Sequence, residues 1–328
     1  MRCDEYNGTA YQQCDYGLTF GTLTFAPGES SRTFRVIITD DANVEPQETF
    51  SVFLENPTGA SLGTQSTATV TINDNNDTQG AANPIDNNEF FVRQHYVDFL
   101  DREPEPEGFN YWVNLLRGCN NNSQCLNGVR VEISARFFAE IEFQRTGYYV
   151  MRLWRASYGQ FPDYRQFVRD RRQVQNNEAS QRAFAAQFVT RQEFQAKYGG
   201  LNNQDFVNLL YDTAGLNGFG AERQAHRQAL DSGQKTRADV LHEVVNLPPY
   251  RDERTPIYNT AWVRMQYFGY LRRDAEPQGE AYWIDVINNR SPNNYQGMIC
   301  AFLNSKEYHE RFGAQRGQFT ETSCGRFF

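Results

Sequence analysis

The chain has 328 residues, too many for one ordinary core and enough for two or three domains. Aromatic residues make up 14% of it, with 25 Phe and 18 Tyr, so it has the large apolar surface of folded cores and not the composition of a disordered chain. The net charge of -8 lies wholly in residues 1–77, where 11 acids face three bases, a balance that suits hard cations and excludes nucleic acid as a partner.

The opening, MRCDEYNGTAYQQC, carries no apolar leader core, so a processed or trimmed start is expected. Nowhere does an apolar run approach the roughly 20 residues of a membrane-spanning helix, and the chain is not expected to cross a membrane. Six cysteines fall as three neighbouring pairs: Cys3 with Cys14, Cys119 with Cys125, and Cys300 with Cys324. No CxxC or Cys-His spacing for zinc accompanies them, so disulfides are expected, although six cysteines allow fifteen pairings. Disulfides would place the chain outside the reducing cytosol.

From Thr22 the apolar residues alternate at period two: Leu23 and Phe25, then Phe34, Val36 and Ile38, then Phe50, Val52 and Leu54, then Ala68, Val70 and Ile72. Turn signals separate them at Ala26–Glu29, Asp40–Glu48 and Asn56–Ala60, so four half-buried strands of an antiparallel sandwich are predicted. The wording GTLTFAPGESSRTFRVIITDDANVEPQETFSVFLENPTGASLGTQSTATVTIND closely resembles the Calx-beta family, over residues 7–77. That resemblance implies an immunoglobulin-like sandwich with calcium held at one end by Asp15, Asp40, Asp41, Glu45 and Asp74, with Glu48 and Asp77 as further candidates. Calcium wants six to eight oxygens, and the adjacent Asp40 and Asp41 repel each other unless a cation intervenes. Members of the family usually begin with about two more strands than the segment starting at Asn7 supplies. A sandwich short of strands would leave an open edge and an uncovered apolar face containing Phe34, Val36, Phe50 and Val52, able to accept a strand from another chain.

Residues 78–88 are polar with Gly and Pro and read as a linker between a β domain, residues 1–77, and helical repeats in two halves, residues 89–200 and 201–328. After the linker the spacing becomes helical, and a motif recurs. Phe91, Val92 and Tyr96 return as Tyr149, Val150 and Trp154, then Phe206, Val207 and Tyr211, then Trp262, Val263 and Tyr267, with successive spacings of 58, 57 and 56 residues. A second pattern, FFAEIEFQRTG from Phe137, FVTRQEFQAKYG from Phe188 and FLNSKEYHERFG from Phe302, ends at Gly, a common helix stop. The segments REPEPEGFNYW and RDAEPQGEAYW, Arg102–Trp112 and Arg273–Trp283, match each other. Both resemble the domain-of-unknown-function 4214 family of bacterial exported and surface proteins, which implies helices and a location but no activity. Pro and Glu there start a helix that is expected to send Tyr111 with Trp112, and Tyr282 with Trp283, into the core.

Catalytic patterns are missing. The four histidines show no metal spacing and are expected at helix or surface positions; Ser232–Lys235 matches SxxK without its companion motifs; and no phosphate loop or nucleophile elbow is present. The leading expectation is therefore a non-enzymatic, extracellular or cell-surface structural or adhesive protein, with calcium as its cofactor and itself or another surface protein as its partner. A carbohydrate-binding module using aromatic residues of the helical units is the second reading. A glycan-active enzyme, drawing on Glu140, Glu142 or Glu193 beside aromatics, is the third.

Overall fold

The computed structural model describes residues 3, 7–75, 77–78, 80–139, 141–315, 317–325 and 327. A small antiparallel β unit is followed by a region that is almost entirely helical. Strands β1 (Glu48–Phe53) and β2 (Thr67–Ile72) pair antiparallel, with Glu48 opposite Ile72 and Phe53 opposite Thr67. On the other edge of β1, Ala10 donates to the Thr49 carbonyl at 3.0 Å and Thr49 to that of Gly8 at 3.1 Å.

The two other expected strands do not form among the described residues. Residues 16–38 run out and back as an open hairpin, held by Gly17 N–H to Ile37 O at 2.8 Å and Thr39 N–H to Asp15 O at 2.8 Å. Its inward residues are Ile37 and Thr39, one position out of register with the predicted Val36 and Ile38. Since side chains alternate faces, this single step turns the predicted apolar set outward: Phe34 is 49% and Ile38 38% exposed. Further out, Phe25, Phe53 and Leu54 are also exposed, whereas Phe50 is buried and stacks on Tyr16 at 4.0 Å. Among the described residues the β unit thus forms one two-stranded ladder with an apolar surface that no second sheet covers.

The helical region begins with α1 (Asn88–His95), capped by Asn87 and continued by a wider turn over Tyr96–Leu100. Then come α2 (Pro106–Arg117), α3 (Ser123–Ala139), α4 (Ile141–Arg145), α5 (Gly147–Tyr158), α6 (Tyr164–Arg171), α7 (Glu178–Phe188) and the short α8 (Gln192–Phe194). The second half holds α9 (Asn203–Ala214), α10 (Gly220–Asp231), α11 (Arg237–Val244), α12 (Pro248–Arg251), α13 (Pro256–Leu271), α14 (Pro277–Asp285), α15 (Tyr295–Leu303) and α16 (Lys306–Glu310). Local chemistry sets many of these bounds. Asp163 with Gln166 and Thr236 with Asp239 form capping boxes at α6 and α11, and Pro opens α2, α12, α13 and α14 where its missing N–H is harmless.

The recurring triplets all lie inside. Phe91, Val92 and Tyr96, Tyr149, Val150 and Trp154, Phe206, Val207 and Tyr211, and Trp262, Val263 and Tyr267 are buried in one continuous core. α5 packs on α9, α7 on α11, α1 on α2 and α3 on α15. The matched segments build matched geometry: Arg102 pairs with Glu105 and Glu142 and lies over the Tyr96 ring, while Arg273 pairs with Glu276 and Glu307 and lies over Tyr267. The Tyr96 hydroxyl donates to Glu105 at 3.3 Å, and that of Tyr267 to Glu276 at 3.2 Å.

Only the tryptophans of the expected aromatic pairs turn inward. Trp112 is buried and Trp283 half-buried against the core, but Tyr111 and Tyr282 are 51% and 50% exposed. Consecutive helical residues point about 100° apart, so a narrow core-facing stripe admits one of the two.

Gly108 and Gly279 occupy the first turns of α2 and α14, where glycine normally weakens a helix. At Gly108 a Cβ would overlap the Glu105 carboxylate and Tyr96 hydroxyl, and at Gly279 those of Glu276 and Tyr267. Gly108→Ala and Gly279→Ala are therefore expected to destabilise by about 1–3 kcal/mol, against the gain of about 1 kcal/mol usual for Gly→Ala in a helix. Thermal melts of the two variants test the sign.

Disulfides join Cys3 to Cys14, Cys119 to Cys125 and Cys300 to Cys324. The second closes the turn between α2 and α3, and the third ties the end of the chain to α15. The β unit is fastened to the helices by buried arginines. Arg272 donates to Thr39 Oγ1 at 3.1 Å and to the Tyr16 carbonyl at 3.4 Å, and Arg311 to the Gln13 carbonyl at 3.2 Å. Both pair with Asp98, at 3.0 Å each. Residues 78–88 lie against the same end of the helices, where Asn83 Nδ2 donates to the carbonyls of His309 and Gln315 at 2.9 and 2.8 Å.

Candidate metal centre

Calcium candidates come from three places in the β unit: the loop after Cys14, the loop from Asp40 to Glu45, and the segment following β2. Asp15 is set by the turn that the Cys3–Cys14 disulfide closes, and its carboxylate accepts from the Tyr11 N–H at 2.5 Å. Asp41 folds its own loop by accepting from the Asn43 N–H at 2.8 Å, a short polar turn that lets the chain reverse before β1.

Carboxylate oxygens of Asp15, Asp41 and Glu45 all lie within 4.8 Å of one another. The other two candidates flank this trio. Asp74 accepts from the Glu45 N–H at 3.3 Å, and Asp40 accepts from Asn75 Nδ2 at 2.9 Å. Buried Glu48 joins the group by hydrogen-bonding Asp15, while Asp77 donates its N–H to Asp74 at 3.4 Å. The fuller part played by Glu48 was foreshadowed by the strand period, since Glu48, Phe50 and Val52 share one face.

The electrostatics of the trio are those of anions lacking a counterion. Burial, then repulsion from Asp15, Asp77 and Asp40, pushes Asp41 up to about 7. Burial, then Asp41 and Asp15, pushes Glu45 up to about 8; burial and Asp15 push Glu48 to about 7. Asp15 is raised too, chiefly by burial, against the pull of the Tyr11 N–H and of Arg272. A clustered set of hard oxygen donors that hold protons near neutral pH fits a divalent cation of the calcium class, which would replace those protons.

Of the other titratable candidates, Glu193 is exposed on the short α8. Glu142 forms a two-point pair with Arg102, at 3.1 and 2.9 Å, and Glu140 lies outside the described residues. All four histidines are buried helix residues and none lies at the surface. His95 bridges the Phe91 carbonyl and Ser134, His226 bridges Tyr211 and Glu243, and His242 bridges Tyr149 and Asn246. Among the described residues no helix is long and apolar enough to cross a membrane.

The acidic end of a small β unit is what the family comparison speaks to: residues 4–76 match the model of the Calx-beta domain. This segment is a Calx-beta domain. It is similar to part of sodium/calcium exchanger 1 from Bos taurus, 41% identical over 86 residues, and from Canis lupus familiaris, 40% identical over 86 residues. Each match takes in 21% of this chain and 9% of the exchanger, so the chain corresponds to under a tenth of these relatives. No solved structure matches the chain. The Calx-beta segment ends before the first helix.

Proposed function

We propose that the protein is a non-enzymatic, extracellular or cell-surface component in which the Calx-beta domain binds calcium while mounted on a helical scaffold. The observation that carries the reading is the meeting of Asp15, Asp41 and Glu45 with raised proton affinity and, among the described residues, no ion pair to any of them. Three disulfides support an oxidising location. The matched segments at Arg102–Trp112 and Arg273–Trp283 support a helical region of domain-of-unknown-function 4214 type, and with it a bacterial exported protein. The outward Phe25, Phe34, Phe53 and Leu54 support self-assembly or adhesion, because soluble monomers rarely leave such a surface uncovered.

Calcium titration of the full chain tests the metal claim. Calcium at about a hundred times its Kd is expected to stabilise by about 2.7 kcal/mol, raising Tm by several degrees. Asp41→Asn is expected to remove most of that rise. A melting temperature indifferent to millimolar calcium would refute the reading.

A further inference from the structure

A groove of about 280 Å³ opens on the helical region, between the end of α3, the start of α13 and the start of α15. It lies in the part of the chain that the Calx-beta comparison does not reach. Its floor is aromatic: Trp262 and Tyr295 have ring centres 4.5 Å apart, and Tyr258 lies 6.0 Å from Tyr295. Its rim is polar, with Glu253, Arg254, Asn293 and Gln296.

Two independent features point to a ligand. Along the rim, the side chains of Glu253, Arg254 and Gln296 make no hydrogen bond or ion pair among the described residues, unlike most charged groups of this surface. Arg254 is also held in left-handed backbone at φ 64, a conformation uncommon for a residue with a side chain and often kept at binding sites.

The chemistry of the lining selects the class of ligand. Glu253 and Arg254 cancel in charge, which gives no advantage to a phosphate or an amine. Neighbouring donors and acceptors beside inclined aromatic rings match a molecule with hydroxyls around its edge and C–H groups on its face. The volume sits just below the roughly 300 Å³ at which small-molecule sites begin, room for roughly one or two pyranose rings. We propose that this groove binds a neutral saccharide, with the half-buried Tyr295 beside the sugar and Glu253, Arg254 and Gln296 hydrogen-bonding its hydroxyls.

The test uses the full chain and two defined probes, cellobiose and N,N′-diacetylchitobiose, followed by tryptophan fluorescence and calorimetry. Saturable binding of either probe is expected. Glu253→Gln, Arg254→Met and Gln296→Ala alter exposed side chains and leave the fold intact; each is expected to weaken binding about tenfold, the loss of a hydrogen bond to a polar ligand. Trp262→Phe keeps a ring behind Tyr295 and is expected to remove the fluorescence response. Binding is expected to persist in EDTA, which separates this site from the metal centre. The proposal is overturned if neither sugar binds, or if binding is unchanged in the three rim variants.

Discussion

Asp98→Ala is expected to destabilise the protein by about 3–5 kcal/mol, lowering Tm by about 4–7 °C. Asp98 is 1% exposed at its side chain, and the two arginines it joins are 4% and 1% exposed. Burial alone would raise its proton affinity; Arg311 and Arg272 overcome that and hold the carboxyl below its ordinary range. Removing it leaves two buried cations with no carboxylate, and an uncompensated buried charge is far more costly than a lost surface pair. Glu132→Ala, which breaks an exposed pair with Arg136 inside one helix, is the control and is expected to cost under about 0.5 kcal/mol. The loss should spread to the β unit, since Arg272 and Arg311 also hold the carbonyls of Tyr16 and Gln13. Replacing all three, Asp98→Leu with Arg272→Met and Arg311→Met, is expected to recover much of the stability of the helical core. A Tm within 2 °C of the parent for Asp98→Ala would show that water reaches the arginines and that the pair is not buried in solution.

That network marks where reading the sequence stops working. Asp98 pairs with Arg272 across 174 positions and with Arg311 across 213, and no local pattern couples residues so far apart. A faint signal exists: Arg272 precedes the second matched segment where Asp101 precedes the first, and both take left-handed backbone at φ 48 and 54. Short-range physics was far more legible. The period-two runs at Phe50–Leu54 and Ala68–Ile72 became β1 and β2, and neighbouring cysteines joined. The repeated triplets all became core, because a 3.6-residue stripe must face inward wherever the helix packs. The hairpin of residues 16–38 misled, since alternation shows that two faces differ without showing which one a marginal ladder will bury. Here two backbone hydrogen bonds near Gly17 and Thr39 chose Ile37. At the metal centre, the acids were visible one by one. Their meeting depends on the turn closed by Cys3–Cys14 and on loop reversals that no spacing rule encodes.

Raising the pH from about 6.5 to about 8.5 in EDTA is expected to destabilise the protein, and saturating calcium to abolish or reverse that trend. The sign follows from the proton affinities. Glu45 titrates in the folded chain near 8 and Asp41 and Glu48 near 7, but all three titrate near 4 when unfolded. Between those limits the folded state holds more protons, so its stability falls as they leave. Below about 6.5 the buried histidines oppose this: burial lowers His95, His226 and His242, and the unfolded chain takes up their protons first. The carboxylates therefore dominate only above that point. Facing groups are almost all of one sign, with Asp15, Asp40, Asp74 and Asp77 around Asp41, Glu45 and Glu48, and Arg272 as the cation acting on Asp15. After discounting for solvent screening, the drop is on the order of 2 kcal/mol. Calcium binds the deprotonated form and gains as protons depart, so its affinity should rise over the same range. Melts at several pH values, with EDTA and with calcium, measure both slopes. Glu45→Gln, which cannot ionise, should flatten the EDTA slope; a slope equally steep in that variant would place the titrating groups elsewhere.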